Sequence, residues 1–292
     1  EPDNGDPFYG EQGYGFFGTQ PKAYVDTLKA VYGPMKAVDP QVQIVFGGIA
    51  YDNWNDNAPP GPFIPDFLER VLDEGGGAYF DVMNFHYYPA FRHVWDPHGN
   101  GILGKVNFLR RKLAAYGVDK PFLCTEAGFW SDPAHGGSDE NQSRYVVQVL
   151  TRSIVAELRV LTWFWFVDEI HLGSRKYGLL NPDLSPKPAY FAYQTFSGKM
   201  ANADFLRALS PEDGALSQIE GYEFDVHVGP DHVVVAWTTD DAFHTLVVQT
   251  SKATVMDKFG GVNTILDGDD GTVDGRVHMS IGPSPVYVTF EP

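Results

Sequence analysis

The residues best suited to chemistry stand where apolar runs end. In PFLCTEAGFW (121–130) one carboxylate, Glu126, closes a run that otherwise reads as core, and Gly128 breaks it. In DVMNFHYYP (81–89) Asn84, His86 and Tyr88 alternate, which on a strand turns all three to one side. In VLTWFWFV (160–167) Trp163 and Trp165 alternate likewise, and Asp168 and Glu169 follow. A second acid, Glu1, opens the chain in EPDNG. Each has a plain structural reading: a satisfied histidine, core tryptophans, a structural acid, a polar turn. Their recurrence in order, at the ends of successive strands, favours a site, because strand ends are where parallel α/β folds place functional groups.

The elements that must position them alternate. A helical period runs from Lys22 to Ala37 through Tyr24, Val25, Leu28, Val31, Tyr32 and Met35. QIVFGG (43–48) reads as a buried strand, Pro62 to Asp73 contains a helix, and 81–89 is a strand. Residues 103–116 form a helix, 121–128 a strand, and Asn141 to Leu158 a long helix with Asn141 as its cap. Residues 160–167 are a strand, and Lys187 to Met200 a final helix after Pro186. Alternation of this kind predicts a parallel sheet with crossover helices. After about residue 203 the texture changes to short β-branched runs, HVVVAWTT (232–239), FHTLVVQT (243–250), TVDGRVHMS (272–280) and PVYVTF (285–290), split by turns. These predict a small antiparallel β-sandwich. The boundary is expected between Ser197 and Asp213, with Phe205, Leu206 and Leu209 in a short linker that docks the sandwich on the last helix.

Composition narrows the partners. The 292 residues are 43% hydrophobic, which marks a folded chain, and 14% aromatic, which suits flat apolar partners such as sugar rings. A net charge of −17 with no basic patch argues against nucleic acid and anionic membranes. It fits an extracellular or secreted setting, although no signal peptide is read. No run reaches the roughly 18 apolar residues of a membrane span. The single cysteine, Cys124, is expected to be buried and inert. No cofactor is expected: the nine histidines, His93, His98, His227 and His232 among them, form no HExxH-type ligand set. DGDDGTVDG (267–275) has the acidic spacing of a calcium loop but lacks its terminal Glu, so a solvated turn is the expected reading. GGG (75–77) reads as a helix C-cap, not a phosphate loop.

Taken together, EPD (1–3), HYY (86–88), TEAG (125–128) and WFWF (163–166) resemble the C-terminal part of a clan A retaining glycoside hydrolase, a (β/α)₈ barrel of the cellulase, mannanase and β-xylosidase kind. The segment YGLLNPDLSPKPAYFAYQTF (177–196) resembles the stretch that closes such barrels before an appended sandwich. The resemblance covers residues 1–200 and implies a partial barrel there, holding its last four βα units, with a β-sandwich over 201–292. It implies Glu126 as nucleophile and Glu1 as acid/base. It implies that His86 and Tyr88 orient the nucleophile and that Trp163 underlies the sugar at the cleavage point. Asn84, Trp130 and Trp165 are further candidates for substrate contact. The substrate is expected to be a β-linked oligosaccharide or polysaccharide; the sugar, the linkage and endo or exo action are left open.

Two carboxylates are what a retaining mechanism needs. One, ionised, attacks the anomeric carbon; the other, protonated, donates to the leaving oxygen, with the pair about 5–5.5 Å apart. A full barrel needs roughly 250 residues and eight strands. Four are read here, with inner faces expected to be almost wholly apolar through Val45, Val82 and Leu123. Three arrangements are open. A second chain supplies the other strands, two copies pair as a homo-oligomer, or the half-barrel is a non-catalytic carbohydrate-binding or assembly protein.

Overall fold

A computed structural model describes residues 1–5, 17–50, 63–89, 95–169, 175–213, 217–227 and 232–291. These fall into two compact units. The first is Glu1–Gly128 with Ala156–Phe164; the second is Phe129–Val155 with Trp165–Pro292.

The first unit is α/β. Helix α1 (Pro21–Val38) begins on a proline, whose fixed φ and missing N–H suit the first turn. It buries Tyr24, Val25 and Leu28, while Val31 and Met35, read as part of the same stripe, are exposed. Helix α2 (Phe67–Asp73) buries Phe67, Leu68, Val71 and Leu72. It is shorter than the 62–73 segment because Phe63 is drawn into an extended bridge with Asn4. Strands β1 (Met83–Tyr87), β2 (Phe122–Ala127) and β3 (Leu158–Trp163) form a parallel sheet in the order β1-β2-β3. Helix α3 (Ile102–Ala115) crosses over between β1 and β2.

Residues 43–48 are not a continuous strand. They run parallel to β1 through single bridges, Val45 to Val82 and Ile49 to Phe85. Phe46 donates to Val82 O at 2.9 Å and His86 to Ile49 O at 2.9 Å. β3 ends at Trp163, four residues before the expected end, so Trp163 and Trp165 do not share a strand face and lie in different units.

The apolar inner face is also only partly as expected. Val82 is buried, but Asn84 and Thr125 meet on that side through hydrogen bonds, and Val45 and Val160 are 39% and 50% exposed.

Among the described residues the second unit holds α4 (Asp139–Val155), α5 (Pro188–Lys199) and eight strands. α4 starts two residues before Asn141, and the cap is Ser138, whose Oγ accepts the Asn141 N–H at 3.0 Å. The strands are β4 (Asp204–Ala208), β5 (Ile219–Asp225), β6 (His232–Thr238), β7 (His244–Val248), β8 (Lys252–Asp257), β9 (Val262–Leu266), β10 (Val277–Ile281) and β11 (Val286–Phe290). Six form an antiparallel sheet ordered β4-β5-β6-β11-β8-β9, and β10 pairs with β7. Ile219, Val234, Leu246, Val248, Met279, Ile281 and Val288 from both sheets share one apolar core.

The expected linker is in fact β4, an exposed edge strand whose Phe205 ring meets Tyr222 and Phe224. The sheets are tied to the helices of the same unit. Arg152 of α4 grips Glu220 with two 2.7 Å hydrogen bonds, and Phe196 of α5 meets the Tyr287 ring. No described helix is long and apolar enough to cross a membrane.

Candidate active site

The site forms where the extended 43–50 segment, β1 and β2 end, in the first unit. Glu126 is the fifth residue of β2, and its carboxylate is partly exposed. Tyr88, just past β1, donates its hydroxyl to Glu126 Oε2 at 2.8 Å. His86 Nδ1 lies 3.5 Å from the same oxygen and 3.1 Å from Glu1 Oε1. Both neighbours are carboxylates, so Nδ1 carries the proton and donates. One oxygen of Glu1, one of Glu126 and one nitrogen of His86 all lie within 4.8 Å of one another.

This trio is the one grouping among the described residues whose donors could hold a metal ion. No pair spacing in the sequence announced it, because the three residues come from three separate segments. The acidic turn at 267–275 instead satisfies itself: Asp267 accepts from Asp274 and Gly275, and Asp270 from Thr272.

Glu1 is held in place by the residues next to it in the chain. Asp3 is buried and accepts from the Ala50 amide at 3.2 Å, while its carbonyl takes the Ile64 amide at 2.8 Å. Pro2 packs against Gly47, and the Phe17 amide donates to the Pro2 carbonyl at 3.0 Å. These bonds fix the backbone on which Glu1 stands. Burial pushes the Glu1 carboxyl up, but the hydrogen bond and charge of His86, with the adjoining α-ammonium and then Lys105, outweigh it, and the acid sits below its ordinary value.

The other sequence candidates have different surroundings. Asn84 spends its side-chain oxygen on Thr125, accepting from the amide at 3.2 Å and the hydroxyl at 3.0 Å. It therefore braces β2 one residue before Glu126. Trp163 is 9% exposed and pairs in register with Ala127, one residue beyond Glu126. Trp130 belongs to the second unit and is a packed ring. It stacks on Phe129 with centroids 4.8 Å apart, lies under Arg175, and gives its indole N–H to His135 O at 2.9 Å. Trp165 is also in the second unit. Cys124 is buried, with its thiol on the Glu126 carbonyl.

Three residues of the site were missed in the sequence. Phe164 sets its ring edge-on to Tyr88 at 6.0 Å. Gly48 lies against the His86 ring, so that a Cβ there would stand 2.2 Å from Nε2. Lys105, wholly buried, donates to the His86 carbonyl at 2.6 Å and to that of Ala50. The glycine pair closing QIVFGG was a signal for the second of these, since glycine at a strand end marks a close approach. A lysine on the apolar face of α3 was a signal for the third.

The sequence matches no family model and no curated protein. The structure is similar to a family 39 glycoside hydrolase from the gut symbiont Bacteroides cellulosilyticus, with a TM-score of 0.67 and 23% identity over 91% of this chain and 54% of that one. The chain shares the fold of part of that protein.

It is also similar to a family 51 α-L-arabinofuranosidase from Thermotoga petrophila (TM-score 0.62, 13% identity, 98% of this chain and 64% of that one). A glucosidase from Croceicoccus marinus gives a TM-score of 0.61 at 13% identity, over 92% of this chain and 64% of that one. The chain thus spans between half and two thirds of the glycoside hydrolases it matches.

Proposed function

We propose that this chain carries the catalytic carboxylates of a retaining glycoside hydrolase acting on β-linked saccharides. The observation that carries the reading is the pairing of Glu126 and Glu1 across His86, with carboxylate oxygens within 4.8 Å. Retaining enzymes keep their carboxyl groups about 5–5.5 Å apart, whereas inverting ones need roughly 6.5–9.5 Å to admit a water. Glu126 is the nucleophile: it accepts the Tyr88 hydroxyl, which fixes its orientation and stabilises its charge, and His86 Nδ1 stands 3.5 Å from the same oxygen. Glu1 faces it as acid/base. The bridges of the 43–50 segment and the three strands β1 to β3 are the last strands of a barrel, and a further polypeptide segment or a second copy completes it. The sheet edge at β3 supports this, since among the described residues β3 pairs only with β2.

The test is covalent trapping. A 2-fluoro glycoside should label Glu126, located by mass spectrometry of the digest, and Glu126→Gln should abolish turnover of aryl β-glycosides. A label on another carboxylate would remove Glu126 from the role, and saccharide binding without any turnover would make the chain a binding protein.

A further inference from the structure

Lys105 is the buried cation nearest the chemistry. It sits on α3 with no solvent exposure, its ammonium 5.1 Å from the Trp95 ring and 5.7 Å from that of Phe85. Burying an ammonium is costly unless its donors are met, so a lysine here is kept for what it holds. It holds two carbonyls, His86 O at 2.6 Å and Ala50 O. Each stands at the root of one arm of the site. The Ala50 amide binds Asp3 Oδ1, and Asp3 is two residues from Glu1. The His86 ring lies between Glu1 and Glu126. Lysine, with three donors on a compact charge, can serve both carbonyls at once.

We propose that Lys105 is a positioning residue for the glycosidic reaction: its ammonium ties Ala50, whose amide anchors Asp3 beside Glu1, to the His86 backbone and thereby sets the spacing of Glu1 against Glu126. This rests on the glycosidase reading. The clamp acts through the backbone, so its loss moves the acid and the histidine without touching substrate. Misplacement by about 1 Å is enough to cost about 100-fold in rate.

The experiment compares wild type and Lys105→Met in labelling by a saturating 2-fluoro glycoside, reading the first-order rate constant and the final amplitude separately. A fold defect lowers the amplitude, while the folded fraction keeps its rate constant. Loss of positioning leaves full amplitude and slows the rate constant about 100-fold, which is the expected result. A rate constant within threefold of wild type would overturn the proposal. Amide hydrogen exchange on the same proteins gives a readout without turnover. The Ala50 and His86 amides should exchange at least tenfold faster in Lys105→Met while the β2 amides do not, and unchanged protection would overturn the clamp. Wild-type protein that takes no label on Glu126 would sink the glycosidase reading, and the exchange comparison would still decide the clamp. If Lys105→Met does not fold, Lys105→Arg takes its place. Its planar guanidinium cannot occupy the same point, and a wild-type rate constant with wild-type exchange there would overturn the proposal.

Discussion

Glu1 and His86 meet at 3.1 Å, carboxylate oxygen to ring nitrogen, and this contact sets the sign of the acid's titration. Burial alone would raise the Glu1 carboxyl; the His86 bond and charge lead the contributions, with the adjoining α-ammonium and Lys105, that bring it below its ordinary value. A group depressed in this way holds its proton only on the acid side. As proton donor it should therefore place the alkaline limb of kcat/KM, which reports the free enzyme, in the acidic range. His86→Ala removes the contact and should move that limb to higher pH. A wild-type profile still rising above neutrality, or a limb unmoved in His86→Ala, would take the donor role from Glu1.

Gly48 gives the His86 ring its room. A Cβ at 2.2 Å from Nε2 cannot be accommodated without moving the imidazole away from one carboxylate or both. Gly48→Ala is expected to lower kcat/KM about 100-fold, the cost of about 1 Å of misplacement. Circular dichroism should report a retained fold. Full activity in this variant would mean that the ring position is not needed.

Trp163 is expected to matter for stability as well as for sugar. At 9% exposure its removal resembles a core truncation, and Trp163→Ala should cost about 3–5 kcal/mol in urea unfolding. An unchanged unfolding midpoint together with lost activity would place the ring's main contact on substrate.

The edge of the parallel sheet calls for a neighbour. Among the described residues β3 pairs only with β2, and Val160 on it is half exposed. In solution the chain should be associated, with its own copy or with a polypeptide segment that supplies more strands. Sedimentation at micromolar concentration checks this, and a well-folded monomer would count against the incomplete barrel.

The second unit should depend on one buried ion pair. Glu220 is held by Arg152 and by the Tyr222 hydroxyl, and Arg152 is itself mostly buried. Removing one partner of such a pair typically costs about 3–5 kcal/mol. Arg152→Met should lower the unfolding free energy by that order, read by denaturant unfolding. A cost below about 1 kcal/mol would show that the pair is dispensable.

Local pattern alone determined a good deal. The 3.6 period placed α1, segment order and length placed α3 and α4, the apolar runs placed β1 and β2, and short β-branched runs placed β6, β7 and β11. Strand-end polarity singled out Glu126, His86 and Tyr88, because a charged or polar group closing a buried run is costly to keep without a use. Periodicity was weak where the burial is one-sided or the pairing irregular. Segment 43–50 became two bridges beside glycines, β4 passed for a linker because an edge strand stays largely exposed, and β3 stopped at Trp163. Only the tertiary structure decided which residues meet. Glu1 reaches Glu126 because Asp3 is tied to Ala50, and His86 stands between them because Gly48 has no side chain. Lys105 binds both arms from a helix. These contacts join residues 19 to 85 positions apart, some from backbone to side chain, and no one-dimensional spacing encodes a hydrogen bond closed by the fold.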